Sequence, residues 1–180
     1  MPNTPDSLMT SGYQARREGL PGDAREFFSE AVRLSREAAN QEALARSLTG
    51  LGQIERDLKN SPAALRHYEE AASIYRGLSD ELRLAHTVRH IGDIHRSDGA
   101  LKLAEPCYEE ALRIYRRHQE ESSPLDLANA IRGMALVKTA SGETEEAKLL
   151  WHKARALYES VEVREGVQES DAQIARLARK

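Results

Sequence analysis

The sequence is poor in cysteine, in aromatic residues and in the β-branched residues that favour strands. Of its 180 residues, one is cysteine and 5% are aromatic, while valine, isoleucine and threonine together number 19. The single cysteine, Cys107, excludes an internal disulfide and gives no sign of an oxidising compartment. Because pleated sheets are built largely from β-branched and aromatic residues, this composition excludes a sheet-rich fold.

The sequence also lacks an excess of basic charge and any long apolar run. It has 26 basic and 29 acidic residues, a net charge of −3. Nucleic-acid binding draws on basic patches, so we expect no nucleic-acid partner. No stretch approaches the roughly 18 apolar residues of a transmembrane helix, and the first ten residues, MPNTPDSLMT, do not resemble a signal peptide. We expect a cytoplasmic protein without a membrane partner.

What the sequence has in abundance is strong helix formers. Alanine (25), leucine (21), glutamate (21), arginine (20) and lysine (6) make up just over half of the chain. An apolar content of 40% is ordinary for a globular protein and is sufficient for a sizeable core. The composition therefore predicts an all-α fold.

A period of forty residues organises the chain. Gly12, Gly52 and Gly92 are forty residues apart, and other positions follow the same spacing, with a fourth copy after forty-three residues. The further columns are Ala24, Ala64, Ala104 and Ala147; Phe28, Tyr68, Tyr108 and Trp151; Ala31, Ala71, Ala111 and Ala154; and Tyr75, Tyr115 and Tyr158. Several columns in one register indicate a repeat protein.

Each repeat predicts two amphipathic helices, because its apolar residues follow a 3.6-residue period. A hydroxyl residue precedes a proline at three of the expected helix starts, Thr4-Pro5, Ser61-Pro62 and Ser123-Pro124. Helix ends are marked by Gly19, Gly99 and Gly142, with Lys59 in the same column. The predicted helix pairs are 5–18 with 22–38, 41–58 with 62–78, 80–97 with 101–119, and 124–140 with 143–160.

These elements predict one domain spanning residues 1–180. It has four helical repeats, approximately 5–40, 41–79, 80–122 and 123–160, followed by a cap at 161–180. In the cap, Val167, Ile174 and Leu177 share one helix face, as a terminal capping helix requires.

The repeated columns have a packing explanation. Small residues allow two helix backbones to approach closely, and the large aromatic residue fills the space between neighbouring hairpins. Two residues of the third repeat interrupt this regularity. Pro106 falls about five positions into its helix, where we expect a bend or an irregular first turn. The neighbouring Cys107 is expected to be a small, buried apolar side chain.

The glycine, alanine, aromatic and alanine columns, with glycine at the turn between helices, resemble the tetratricopeptide repeat. That unit usually has about 34 residues. The forty-residue spacing here is similar to the longer version found in kinesin light chains and related bacterial scaffolds. The run AEPCYEEAL at 104–112 resembles the AEPLYxRAL run of that subfamily. The resemblance implies a right-handed superhelix of α-α hairpins, whose first helices line a concave groove for partner segments, and it brings no catalytic residues.

The repeat register then predicts which side chains line such a groove. The candidates are Arg46, Gln53, Arg56, His86, Arg89, Arg96, Asn129 and Arg132. Because guanidinium groups bind carboxylates in a bidentate manner, we expect a protein or peptide partner that is acidic or ends in its C-terminal carboxylate. The alternative is that these arginines pair with glutamate and aspartate side chains on neighbouring helices.

No pattern in the sequence indicates catalysis or a bound cofactor. His86 and His90 are four residues apart on one helix, but only two metal ligands are visible, so we expect no metal ion. We expect His90 and His95 to pack between helices. No paired nucleophile and base and no phosphate-binding glycine loop occur. A non-catalytic protein is therefore predicted.

Two other functions remain open from the sequence. The first helix is weakly apolar, with only Leu8, Met9 and Tyr13 on one face, so its hairpin could stack on another copy. That alternative predicts a self-assembling structural protein, whereas the adaptor predicts a monomer or weak homo-oligomer. The other alternative is a regulatory repeat protein that acts in trans on a transcription factor or kinase.

Overall fold

The computed structural model describes residues 4–179, and within them it shows nine α-helices and no strand. The helices are α1 Pro5–Arg17, α2 Pro21–Glu37, α3 Gln41–Asp57, α4 Ser61–Gly77, α5 Glu81–Ser97, α6 Leu101–Arg117, α7 Pro124–Ser141, α8 Thr144–Ser160 and α9 Arg164–Leu177. The predicted all-α helical-repeat class is confirmed, and every bound of the eight paired helices lies within two residues of its expected place. None of these helices combines the length and apolarity needed to cross a membrane.

The chain divides into two compact units, 1–87 and 88–180, with the division inside α5. In the first unit α1 packs on α2 and α3, α2 packs on α3, and α3 packs on α4. In the second unit α6 packs on α7, α7 on α8, and α8 on α9. The expectation of one domain over 1–180 stays a prediction.

A buried aromatic ring forms the centre of each helical hairpin. Phe28, Tyr68, Tyr108 and Trp151 are all fully buried. Phe28 lies between two glycines, Gly12 of α1 and Gly50 of α3. A Cβ atom added to Gly12 would come within 2.7 Å of Phe28 Cε2, and a Cβ atom added to Gly50 would overlap the ring. Tyr108 is similarly placed between Gly92 and Gly133. The packing role of the glycine column is confirmed, and a second set of glycines closes the other side of two of the rings.

The connections between helices depend on single residues in the left-handed conformation. Gly19, Gly99 and Gly142 have φ values of 75°, 77° and 80°, and Lys59 takes the same conformation at φ 62°. After Lys59, the Asn60 N–H donates to the Glu55 carbonyl at 2.8 Å, which closes the end of α3 in the manner of a Schellman motif. The turns between repeats use the same conformation at residues that the sequence does not mark, namely Ala39, Ser79 and Glu162.

The two irregular residues of the third repeat fit into a continuous helix. α6 runs through Pro106 unbroken, and its irregularity is confined to the first turn, where the Leu103 N–H donates to the Ala100 carbonyl. Cys107 is half-buried, so the prediction of full burial is wrong. Its position next to Pro106 on the helix leaves the thiol partly exposed, with Sγ 3.2 Å from the Leu103 carbonyl oxygen.

Both terminal helices bury their apolar residues within their own unit. In α1, Leu8 and Met9 are buried. In α9, Leu177 is buried, while Val167 and Ile174 are half-buried. The expected capping helix is therefore present. The alternative of self-assembly stays a prediction, since Leu8 and Met9 are buried but Tyr13 of the same helix is 37% exposed.

The glycines next to the aromatic rings generate a stability prediction. Gly133→Ala should lower the free energy of unfolding by about 1–3 kcal/mol, because the added methyl group overlaps the buried ring of Tyr108. Gly77→Ala is the matched control: its Cβ would meet nothing within 4 Å, so the better helix propensity of alanine should leave stability unchanged or raise it by up to about 1 kcal/mol. Urea denaturation followed by circular dichroism measures both, and equal effects would contradict the packing role.

Lys59 generates a prediction of the opposite sign. A non-glycine residue in the left-handed region costs about 1–2 kcal/mol, part of which the greater freedom of glycine in the unfolded chain offsets. Lys59→Gly should therefore stabilise the protein by about 0.5–1 kcal/mol and raise Tm by roughly 1–4 °C. Lys59→Ala keeps the strained conformation and should change Tm little. A rise of the same size in both variants would show that the lysine side chain, and not the backbone, is responsible.

Candidate functional site

The side chains predicted to bind a partner lie on the first helix of each repeat. We call the outward-facing side chains of these helices the first-helix surface. In the first unit it comprises α1, α3 and the beginning of α5. In the second unit it comprises the end of α5, α7 and α9, because α9 follows α8 at the place where the next first helix would lie.

In the first unit, the arginines of this surface pair with carboxylates of the neighbouring first helix. Arg46 Nη1 of α3 lies 2.9 Å from Asp6 Oδ1 of α1. In the other direction, Arg16 Nε of α1 lies 2.6 Å from Asp57 Oδ2 at the end of α3. All four side chains are more than a third exposed, so both ion pairs are accessible to solvent.

Tyr13 is an exposed aromatic side chain between these two arginines. It is 37% exposed, and its ring packs edge-on against Phe28 with centroids 5.0 Å apart. Burial raises the pKa of the Tyr13 phenol, and the charges of Arg46 and Arg16 oppose this increase. The first unit thus presents an exposed aromatic ring whose phenol is influenced by two arginines.

In the second unit, Arg89 is the centre of a buried polar cluster. It is only 7% exposed, and its Nη1 donates to Asp93 Oδ2 at 2.9 Å. Its Nη2 lies 2.9 Å from Nε2 of His90. Because a guanidinium group can only donate, Nε2 accepts and the ring proton is on Nδ1. Tyr108 Oη donates to Asp93 Oδ1 at 2.8 Å and accepts from Arg96 Nε at 3.3 Å.

The protonation states of this cluster follow from its surroundings. Burial alone would raise the pKa of the Asp93 carboxyl, but the hydrogen bond from His90 and the charge of Arg89 outweigh it and hold that pKa well below its usual range. Burial, and then the Asp93 charge, raise the pKa of the Tyr108 phenol far above its usual range. At neutral pH Asp93 is therefore an anion and Tyr108 a neutral donor, which places one carboxylate between Arg89 and Arg96.

Arg132 of α7 binds a carboxylate of α9 with both sides of its guanidinium group. Its Nε and Nη2 lie 2.5 and 2.7 Å from the two oxygens of Glu169. Next to it, Asn129 Oδ1 accepts a hydrogen bond from Tyr158 Oη at 2.8 Å. Burial raises the pKa of Tyr158 to about 12, against the effect of the Arg132 charge. Arg132 and Asn129 are thus adjacent, as the repeat register predicts.

A pocket of about 490 Å³ opens on the first-helix surface of the second unit. We call it the α9 pocket. Its lining includes Arg96 of α5, Leu101 of α6, Leu136 and Thr139 of α7, and Gln173 and Arg176 of α9. The Thr139 hydroxyl is already occupied, since it donates to the Ala135 carbonyl and accepts from Trp151 Nε1. The polar groups that can turn to a ligand are therefore the two arginines and Gln173.

The four predicted residues of the second unit fall into two adjacent pairs. Arg89 and Arg96 are joined through Asp93 and Tyr108, and Asn129 and Arg132 are adjacent on α7. The exposure expected for Arg89 is wrong, because Asp93 and His90 draw its guanidinium group inward. The others, Arg46, Gln53, Arg56, His86, Arg96, Asn129 and Arg132, are half-exposed.

Sequence reasoning missed the contribution of α9, which carries Glu169, Gln173 and Arg176. A signal for it exists: α9 begins forty residues after α7, and Arg176 is forty residues after Leu136. Interpreting the segment only as a cap concealed that register. Among residues 4–179, no three histidine, cysteine, aspartate or glutamate side chains are grouped so that they could hold a metal ion.

Comparison with known families identifies these hairpins. Two models described as tetratricopeptide repeat match residues 4–77 and 84–124, which together are well over half of the chain. The chain belongs to the tetratricopeptide-repeat family. TPR proteins bind protein partners, and their fold is generally non-catalytic. No curated protein matches the TPR chain.

Several solved TPR-like structures share this fold. The BtubC (BKLC) structure from P. vanneervenii is 23% identical with a TM-score of 0.79, covering 88% of this chain and 64% of its own. A putative kinesin light chain from Podosopora anserina with TPR-like repeats is 14% identical with a TM-score of 0.71, covering 96% and 94%. Aspartyl phosphate phosphatase F from Bacillus subtilis is 15% identical with a TM-score of 0.83, covering 94% and 44%. The TPR chain spans less than two thirds of the BtubC chain.

The burial of Arg89 distinguishes it from the other arginines of the TPR surface. Arg89→Met should lower the free energy of unfolding by about 3 kcal/mol, because it leaves the mostly buried Asp93 carboxylate without its cation. Arg132→Met breaks an ion pair whose side chains are 33% and 31% exposed, so its loss should be about 1 kcal/mol. Urea denaturation of both variants tests the difference. Equal losses would mean that the Arg89 cluster contributes no more than a surface ion pair.

Proposed function

We propose that this chain is a protein-binding TPR module that holds an acidic segment of its partner against the first-helix surface. The residues proposed for this role are Arg46, Gln53, Arg56 and His86 in the first unit and Arg89, Arg96, Asn129 and Arg132 in the second. Membership of the family supports the general role, because TPR proteins bind protein partners.

The observation that most supports an acidic partner is the bidentate pair of Arg132 with Glu169. A carboxylate from one first helix fits the guanidinium group of the next, with both oxygens engaged. Arg46 and Asp6 form a single contact between first helices in the first unit, from Nη1 to Oδ1 at 2.9 Å. Exposed ion pairs of this kind contribute only about 0–1 kcal/mol, so a partner carboxylate can replace the internal one at little cost.

We propose that Arg89 positions other residues and does not contact the partner itself. It holds Asp93, which accepts the hydroxyl of Tyr108, and that hydroxyl oxygen accepts a hydrogen bond from Arg96 Nε. This chain of hydrogen bonds fixes one nitrogen of Arg96, whose side chain also lines the α9 pocket. The proposal therefore assigns the contact to Arg96 and the support to Arg89.

The exposed ring of Tyr13 adds an apolar contact to the proposal. It packs against Phe28, and the charges of Arg46 and Arg16 act on its phenol. A partner segment that carries an apolar side chain between two carboxylates would match this arrangement. Such a segment would gain area from the ring and charge complementarity from the arginines.

The proposal predicts that arginines of the first-helix surface control partner binding. Full-length chain, immobilised, is used to capture its partner from source lysate, and the acidic segment of that partner is then synthesised as a labelled peptide. Arg46→Ala/Arg132→Ala should weaken binding of the peptide at least about tenfold, because each change removes a charge-assisted hydrogen bond. Raising the salt concentration should weaken the wild-type complex further. Fluorescence polarisation measures both effects.

Arg36→Ala/Arg155→Ala is the matched control for this experiment. Arg36 is exposed and Arg155 half-exposed, and each is ion-paired, Arg36 with Glu70 and Arg155 with Asp171, but they belong to second helices. This control should bind the peptide within about twofold of wild type. Equal weakening in both double variants would show a general charge effect, and undiminished binding by Arg46→Ala/Arg132→Ala would overturn the assignment of the surface.

A further inference from the structure

Arg89 and Arg132 occupy the same position in successive repeats but place their guanidinium groups differently. The two residues follow the forty-three-residue spacing between the third and fourth repeats. The Arg89 side chain is only 8% exposed and is paired with Asp93 of its own helix. The Arg132 side chain is 33% exposed and reaches Glu169 of α9 on the first-helix surface. One position of the repeat therefore accommodates both an inward and an outward guanidinium group.

The residue that follows each arginine accounts for this difference. Arg89 is followed by His90, whereas Arg132 is followed by Gly133. His90 is 4% exposed, and its Nε2 accepts a hydrogen bond from Arg89 Nη2 at 2.9 Å. Gly133 has no side chain and offers Arg132 no such acceptor. The imidazole of His90, together with Asp93, thus keeps the guanidinium group of Arg89 inward.

The inward conformation of Arg89 leaves one of its hydrogen-bond donors unpaired. Its Nε is buried and has no hydrogen-bond partner among residues 4–179. Because an unpaired buried donor is unfavourable, this conformation depends on the bonds from Nη1 to Asp93 and from Nη2 to His90. Loss of either bond would favour the outward conformation that Arg132 shows.

Protonation of His90 would remove one of these two bonds. The added proton binds Nε2, because Nδ1 already carries one, and the new Nε2–H then opposes the N–H of Arg89 Nη2. Two positive charges would also lie next to each other in a buried site. On its other side, Nδ1 of His90 lies 3.5 Å from Asp93 Oδ2, so a charged imidazole can take over the pairing with this carboxylate. Arg89 would then be the group that leaves.

The other titratable groups around this cluster keep their charge where histidine titrates. Those that face it within the second unit are Arg96 of α5, Tyr108 and Tyr115 of α6, Asp126 and Arg132 of α7, Tyr158 of α8 and Glu169 of α9. Burial raises the pKa of Tyr108 and Tyr115 far above the usual range and that of Tyr158 to about 12, while the pKa of Asp93 is held well below its usual range. Aspartate, glutamate and arginine ordinarily titrate outside the range of about pH 5–8. His90 is therefore the group of this cluster that responds within that range.

We propose that His90 is a pH-sensitive switch for Arg89. While His90 is neutral, the guanidinium group of Arg89 lies inward, and when His90 is protonated, it turns to the first-helix surface as that of Arg132 does. Because the folded chain uses the neutral ring as an acceptor, the unfolded chain takes up the proton more readily. Stability is therefore lost as the pH falls below about 6.5, the ordinary pKa of histidine. The switch operates in the free chain and does not depend on the proposed function.

The test follows the full-length chain, labelled with ¹⁵N, by NMR at about pH 7.5 and about pH 5. The His90 ring should carry its proton on Nδ1 at the higher pH and protons on both nitrogens at the lower. Over the same interval, the solvent exchange of Arg89 Nε–H should rise at least about tenfold relative to that of Arg132 Nε–H, the internal reference. Tm should fall by about 3 °C or more.

Three variants separate the switch from a general effect of acid. His90→Gln keeps an acceptor oxygen for Arg89 but takes up no proton, so its exchange ratio should change less than about twofold and its Tm should fall less than that of wild type. His152→Gln, which changes an exposed histidine of α8, is the matched control and should respond like wild type. His90→Gly reproduces the arginine–glycine pair of the fourth repeat and should give fast exchange of Arg89 at both pH values.

Several outcomes would overturn the inference. They are a His90 ring that stays neutral at the lower pH, an exchange ratio that stays constant although the ring is protonated, and the same pH response in His90→Gln as in wild type. Slow exchange of Arg89 in His90→Gly would also contradict it, because Arg89 would then stay inward without the imidazole. If His90→Gly does not fold, wild type and His90→Gln still decide. None of these measurements involves a partner, so failure of the proposed function would leave them unaffected.

Discussion

The rest of the structure depends on the close approach of first-helix backbones to a buried aromatic ring. Phe28 and Tyr108 each fill a space that has glycine on both sides, and a single methyl group at Gly50 or Gly133 would overlap the ring. Because the ring contacts the first helix of its own repeat and of the next, it fixes the distance and register between them. The same packing rule therefore places α1 beside α3 in the first unit and the end of α5 beside α7 in the second.

Three buried aromatic residues of the second unit have polar groups that connect the core to the first-helix surface. In the second unit, Tyr108 Oη reaches Asp93 of α5, Trp151 Nε1 reaches Thr139 of α7, and Tyr158 Oη reaches Asn129 of α7. Buried tyrosine and tryptophan need partners for these groups, and the first helix provides them. Core packing therefore determines the positions of Arg96 and of Thr139 in the wall of the α9 pocket. A substitution in the core can for this reason weaken partner binding although the substituted residue does not contact the partner.

The sequence predicted the helices well because their determinants are local or strictly periodic. Prolines and the forty-residue columns mark the starts of several helices, Thr4 caps α1, and Gly19 and Gly142 mark two of the turns, whereas Ser61 and Ser123 form no side-chain cap. The sequence did not predict that Ala39, Ser79 and Glu162 take the left-handed conformation, since their side chains have no preference for it and the repeat geometry imposes it. Ion pairs such as Arg46 with Asp6 were equally beyond prediction, because they depend on rotamers of residues forty positions apart.

The distribution of charge explains why α9 matters more than a cap. Along the first-helix surface, carboxylates such as Asp6 and Glu169 neutralise the arginine of the neighbouring helix, so an incoming anion must compete with an internal one. Arg176 has no such neighbour among the described residues, and Arg96 directs its one described hydrogen bond to a neutral hydroxyl. Neither guanidinium group is therefore held in a direct ion pair among residues 4–179. The repeat register extends through α9, and α9 therefore carries an arginine at a first-helix position. This arginine, Arg176, has no described ion pair, whereas Arg46 and Arg132 are each paired with a carboxylate.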